Sequence, residues 1–333
     1  MTNIVDGLVE PPAPGDVSLL PPPGTPEHAR LEQLGAAALE RGEVALVVLA
    51  GGMATRMGGV VKALVEALDG LTFLDLRLRE LDAVERRYGR RPPLLMMTSA
   101  ATDGPIRAAL GDAAEGGSIG LFQQGVALRE TPEGAVFHDD AGNPSEYAQG
   151  HGDLVDAVRD SGLLGRFVDG GGTTLMLANL DNLGATLDAA VVGWHLAHEA
   201  ALSCEVVAAG GDRGGWPVRW NGRPVILEDF RLPPEFDPAA SGVFNTNTFH
   251  ADARALLEHD GEWTWFTVEK EVDGRRAIQR ERLLGELTSH LDTRFVEVPR
   301  DGPESRFLPV KDYDELATRQ PELRAALTAR GII

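Results

Sequence analysis

The chain has 333 residues, 43% hydrophobic and 25% charged, which is an ordinary globular composition with material for one large domain or two modest ones. A formal net charge of −20 argues against nucleic acid or an anionic membrane as partner, and it requires any anionic ligand to find a local cluster of cations or a metal ion. The single cysteine, Cys204, excludes an intrachain disulfide and a cysteine-based zinc site; with no apolar run of membrane-spanning length and no secretory pattern at the N-terminus, a cytoplasmic protein is expected.

Residues 1–25 read as a Pro-rich leader, because Pro11, Pro12, Pro14 and Pro21-Pro22-Pro23 oppose regular helix or inner strand. Thr25-Pro26 looks like an N-cap with proline at the first helical position, Leu31, Leu34 and Ala38 mark one face, and Gly42 ends the helix. Val44 to Ala50 is a continuous apolar run stopped by Gly51-Gly52, the mark of a buried parallel strand. The pattern strand, glycine turn, helix sets this loop at the carboxyl end of a strand, where open α/β sheets bind ligands. Gly51 and Gly52 let the backbone approach a ligand, Thr55 adds a hydroxyl, and Arg56 and Lys62 add fixed positive charge, a set suited to a polyphosphate. An ordinary tight turn with surface cations is the plainer alternative. The loop is neither a Walker A sequence nor G-x-G-x-x-G, since Ala54 stands where the second glycine would fall.

Thr72 with Asp75 suggests a capping box that opens a helix through Leu74, Leu78 and Leu81 to Gly89. Leu94 to Thr98 is a second buried strand, Ile106 and Leu110 suit a short helix, and Ile119 to Phe122 is a third strand followed by Gln123-Gln124. The recurring β-α-β-α-β order implies a doubly wound sheet. Gly150-His151-Gly152-Asp153 opens a helix through Leu163, and Thr173 to Ala178 is a further core strand. That strand ends in Asn179-Leu180-Asp181-Asn182, a carboxylate and two amides placed for function rather than packing. Leu187, Val191, Trp194 and His198 follow helical spacing. From Ser203 the texture turns β-rich. A strand to Ala209, a hairpin turning at Asn221-Gly222, strands at 243–249, 263–268 and 294–298, and a helix through Leu283, Leu287 and Leu291 are expected. A charged helical region follows Phe307-Leu-Pro-Val-Lys311.

Six separated stretches together resemble one family, the UTP–glucose-1-phosphate uridylyltransferases: GGMATRMG, TFLDL at 72–76, GHGD at 150–153, NLDNLGAT at 179–186, FNTNT at 244–248 and FLPVK at 307–311. Their order and approximate spacing match from about residue 44 to 315. The start, with GEVALVVLAGG and Arg56, is also similar to the N-acetylhexosamine uridylyltransferases. The resemblance implies one catalytic domain over 26–333, a mixed, mostly parallel, doubly wound and Rossmann-like sheet with a smaller β-rich sugar-side part at 203–300, and no C-terminal β-helix. It implies formation of UDP-glucose and pyrophosphate from UTP and glucose 1-phosphate, with Mg²⁺ as cofactor. Arg56, Lys62 and Lys311 would act on the phosphates, and Asp181 would ligate Mg²⁺. Gly51, Gly52 and Thr55 would hold the nucleotide, and Gln124, which could exchange roles with Gln123, would read uracil with Gly150. His151 would contact the sugar phosphate or the nucleotide, and Asn179, Asn245 and Asn247 would bind glucose hydroxyls or ribose, the two asparagines of FNTNT sharing one strand face. The oligomeric state stays open. Rival readings are the N-acetylated sugar as substrate, a nicotinamide-dependent oxidoreductase, and a non-catalytic nucleotide-binding module.

Overall fold

The computed structural model describes residues 3–115 and 117–333, with all their side chains except those of Thr55 and Glu115. Its centre is an eight-stranded sheet. In chain order the strands are β1 (Val17–Leu19), β2 (Val44–Leu49), β3 (Leu94–Thr98), β4 (Ile119–Gln123), β5 (Thr174–Asn179), β6 (Leu202–Ala208), β7 (Val243–Asp252) and β8 (Thr293–Glu297). Their spatial order is β1-β8-β6-β7-β5-β2-β3-β4, and β7 alone runs antiparallel to its neighbours.

The central run explains itself at the level of alternate side chains. Val44, Leu46 and Val48 enter one core with Leu39, Leu74, Leu81 and Leu323, while Ala45 and Val47 enter the opposite core with Leu154, Val155, Val158 and Leu164. A strand buried on both faces needs no polar side. Helices α1 (Pro26–Arg41), α2 (Phe73–Tyr88) and α6 (Ala189–His198) thus lie apart from α4 (Leu154–Asp160) and α5 (Leu163–Asp169), with α3 (Asp103–Leu110) and α7 (Tyr313–Ala329) completing the longer helices. The capping box is present, Thr72 Oγ1 accepting from the Asp75 N–H at 3.1 Å and Asp75 accepting from the Thr72 N–H at 2.9 Å.

Four local expectations change. The leader contributes two strands, β1 beside β8 and Val9–Glu10 on the hairpin Gly215–Trp220/Arg223–Glu228. Both are edge positions, which spare the prolines a ladder hydrogen bond. The glycine loop does not lead into a helix: Met53–Ala54 pairs with Val60–Val61 around a 3-10 turn at Thr55–Met57. The strand expected from Trp263 begins at Phe266, because Trp263 and Trp265 stack over the Arg282 guanidinium, 5.6 and 4.8 Å from it. Three strands of the β-rich 203–300 region belong to the central sheet, leaving two hairpins outside it.

Between β6 and β7 lies a buried charge cluster. Burial alone would raise the Glu205 carboxyl, but Arg306, forked onto both oxygens at 2.6 Å, and His250, at 2.8 Å, outweigh it and hold it at about 2. The unfolded value is 4.5, so this stabilisation is whole above pH 4.5 and is lost as pH falls toward 2. His195, pushed down by burial to about 3, acts with the same sign between 6.5 and 3. Glu228, raised to about 7 by burial beside Asp229 and Glu286, has the opposite sign, but only between 4.5 and 7. The melting temperature is therefore expected to fall steeply below pH 4.5. A flat acid limb in a thermal-melt series would mean that Glu205 is not held ionised.

Candidate active site

A cleft of about 550 Å³ opens over the carboxyl ends of β2, β3 and β5, and its lining includes Gly51, Gly52, Arg56, Lys62, Gln124, Gly150, His151, Asn179, Asp181 and Lys311. Segments far apart in the chain thus deliver ten of the thirteen expected site residues to one cavity. The reason is topological: parallel strands aim their ends, and the loops after them, at the same side of the sheet.

The glycine loop fits the role that its sequence suggests. A Cβ at Gly51 would stand 2.5 Å from the Gln124 amide nitrogen, so only glycine lets that side chain lie against the loop. Gly150 has φ +87°, and a Cβ there would meet the Arg282 carbonyl at 2.5 Å. Arg282 forms buried ion pairs with Asp153 and Asp156, and Asp153 also accepts the Gly125 N–H, so one carboxylate ties the Gln124 loop to the GHGD segment. The expected contribution of the Thr55 hydroxyl lies outside the described residues.

His151 has a defined hydrogen-bonding state. Its Nδ1 accepts the Leu284 N–H at 3.0 Å, which places the ring proton on Nε2. Desolvation pushes its pKa down to about 4, so the ring is a neutral donor at physiological pH. His151→Ala is expected to lower kcat/KM about 10- to 100-fold, the range of one hydrogen bond to a charged group. The wild-type pH–rate profile should carry no histidine ionisation from this residue between pH 5 and 8; an ionisation in that range abolished by the substitution would overturn this assignment.

The cations are distributed unequally. Lys62 is ion-paired with Asp181. Arg56 and Lys311 line the cleft with no carboxylate in ion-pair contact among the described side chains. Two free positive charges facing one cavity in a chain of net charge −20 make it a local attractor for phosphates. Asp181, one carboxylate at a strand end beside these cations, suits a hard divalent ion that takes most of its ligands from phosphates and water.

The two asparagines of FNTNT lie at an irregularity of β7. The pairing of β6 with β7 shifts between Glu205 and Val206, and Asn247 takes φ +56°. Asn245 is buried and its Oδ1 accepts the Asn247 N–H at 3.0 Å, and neither asparagine lines the cleft itself. Asn247 donates to Asn179 Oδ1 at 3.1 Å and so reaches the cleft through a neighbour.

Sequence reasoning missed three residues, and it marked a fourth, Asn182, for function where the structure buries it in packing. Glu281 lines the cleft from the hairpin Phe266–Val272/Arg275–Glu281. Asn182 donates to the Arg306 carbonyl at 3.1 Å and accepts the Leu308 N–H at 2.8 Å, joining NLDN to FLPVK. Arg77, fully buried, lies beneath the same loop. Glu228 stands beside Gly215 and Asn245, 3.1 Å from where a Gly215 Cβ would lie. Arg77 had a detectable signal, a charge within the apolar stripe of Leu74, Leu78 and Leu81, with Glu80 three residues on.

Comparison with known proteins bears on the family and on the fold. Residues 20–326 match the family described as UTP–glucose-1-phosphate uridylyltransferase. The UTP–glucose-1-phosphate uridylyltransferase of Musa acuminata is 30% identical over 298 residues, covering 84% of this chain and 63% of that protein. The chain therefore spans a little under two thirds of the length of such relatives. Among solved structures, a UDP-glucose phosphorylase from Trypanosoma brucei superposes with TM-score 0.79 at 23% identity, over 95% of this chain and 71% of that one. A UDP-N-acetylglucosamine pyrophosphorylase from the same organism superposes with TM-score 0.78 at 18% identity, over 95% and 72%. These two agree on the fold and do not choose the sugar. By its matched length and its motifs, the chain belongs to the UTP–glucose-1-phosphate uridylyltransferase family.

Proposed function

We propose that this protein makes UDP-glucose and pyrophosphate from UTP and glucose 1-phosphate. The observation that carries the reading is the convergence of Arg56, Lys62, Lys311 and Asp181 with the Gly51-Gly52 loop and Gln124 in one cleft. The nucleophile is an oxygen of the sugar phosphate, whose second ionisation near pH ~6 leaves it charged at neutral pH, so no general base is needed. It forms a bond to the α-phosphorus as the bond from that phosphorus to the β-phosphate bridging oxygen breaks, and pyrophosphate leaves.

The chain's part is positioning and charge neutralisation. Arg56 and the loop N–H groups hold the β- and γ-phosphates. Lys311 faces the α-phosphate, where negative charge is shared in the transition state. The His151 Nε2–H donates to a phosphate oxygen, and Gln124 pairs with the uracil edge, so that a base with the wrong donors leaves buried groups unpaired. Asn179, oriented by Asn247, donates to a sugar hydroxyl. Mg²⁺, held by Asp181, would supply additional neutralisation of the phosphates when bound. Lys62 occupies that carboxylate otherwise and turns to the phosphates when it is released.

Among the described residues no helix is long and apolar enough to cross a membrane. Together with the lone cysteine, this supports a cytoplasmic setting for the reaction. The deciding experiment measures pyrophosphate release from UTP and a panel of sugar 1-phosphates, with and without chelator. Rapid, chelator-sensitive release with glucose 1-phosphate is expected. Release only with N-acetylglucosamine 1-phosphate would keep the chemistry and change the sugar, and no release with any sugar would sink the reading.

A further inference from the structure

We infer that Arg77 is a positioning residue for the catalytic centre, acting through the loop that carries Asp181. Arg77 is fully buried in α2 and does not itself line the cleft. Its guanidinium donates instead to three backbone carbonyls of one loop: Asn179 at 3.0 Å, Asn182 at 2.8 Å and Ala185 at 2.7 Å. Glu80, one helical turn on, balances the charge at 2.8 Å and accepts the Leu187 N–H at 2.8 Å with its other oxygen. The pair thus grips residues 179–187 from below at four points that bracket Asp181.

The same loop is gripped from above by the segment that carries Lys311. The Asn182 side chain bonds the Arg306 carbonyl and the Leu308 N–H, and the Val310 N–H donates to the Asp181 carbonyl at 3.2 Å. Arg77 therefore fixes Asp181 directly and Lys311 through Asn182. A planar fork with five donors can satisfy three carbonyls and a carboxylate at once; an ammonium cannot reach them all. A pair kept only for stability would be expected to orient toward neighbouring helices, yet every bond of Arg77 other than that to Glu80 goes to this loop.

This inference rests on the proposed roles of Asp181 and Lys311, so its test has one arm that does not use activity. Hydrogen–deuterium exchange would compare wild type with Arg77→Lys and with the paired apolar replacement Arg77→Met/Glu80→Met. The second variant removes both charges while filling their volume, a change that buried pairs commonly tolerate. Both variants are expected to exchange at least ~10-fold faster in 179–186 and 306–311, with β2 and β3 unchanged. In turnover assays kcat should fall about 10- to 100-fold, as for a small misplacement of a catalytic group, with KM for UTP within ~2-fold. If Arg77→Lys fails to fold, the paired variant decides alone. Unchanged exchange in the two segments, or a rise spread evenly over the sheet, overturns the inference. Inactive wild type would remove the proposed reaction while the exchange arm still decided what Arg77 holds in place.

Discussion

Lys311→Ala is expected to lower kcat by about 10²- to 10³-fold while changing UTP affinity only a few-fold, the signature of a donor that acts on transition-state charge. The backbone that presents this lysine is fixed. The Leu308 and Val310 N–H groups are bonded to the NLDN loop, and the Lys311 N–H donates to Glu315 at 2.6 Å. Its ammonium faces the cleft without a carboxylate partner among the described side chains, so its charge is available to the ligand. On the proposed function the β- and γ-phosphates have separate partners in Arg56 and the glycine loop, which is why ground-state binding should survive. Steady-state kinetics beside calorimetric UTP binding separates the two effects. An unchanged kcat would remove Lys311 from the reaction centre, and a loss confined to binding would make it a nucleotide clamp.

Asp181→Asn should produce two opposite changes. Turnover at saturating Mg²⁺ is expected to fall by about two orders of magnitude or more, since a metal bridging phosphates supplies several kcal/mol of charge stabilisation. UTP binding in chelator, by contrast, should tighten a few-fold. Lys62 is held by Asp181 in the free protein, and the substitution frees its charge for the phosphates. Measuring UTP affinity in chelator alongside the Mg²⁺ dependence of kcat tests both. Turnover equal to wild type at limiting and saturating Mg²⁺ would exclude Asp181 as a ligand.

The residues that the sequence revealed are those lying at the ends of strongly apolar runs. Val44–Leu49 and Thr174–Asn179 announce their strands by composition, and the polar residues just beyond them fall into the cleft because strand ends converge. What stayed hidden depends on long-range pairing. Nothing local announces that Val17–Leu19 will find Thr293–Glu297, or that β7 will bulge against β6 between Asn245 and Thr248. At this irregularity two residues of β7, Thr246 and Asn247, have no partner in β6, a break that no sequence period announces. Strand, glycine turn and helix were expected in direct succession, whereas the residues after the glycines close a small hairpin of their own. Arg77 was legible only as an anomaly in an apolar stripe, and its partners are carbonyls, which leave no trace in a sequence.

The clasp between NLDN and FLPVK also has a temporal side. Ribosomes deliver residues in order, and Asn182 emerges long before Arg306, Leu308 and Val310. Edge strand β1 likewise waits for β8, one of the most non-local pairings in the sheet. A nascent chain can thus assemble the glycine loop, β2, β3 and β5 while still lacking both the lysine and the segment that steadies the acidic loop. On the proposed function, catalytic competence arrives only with the segment that carries Lys311.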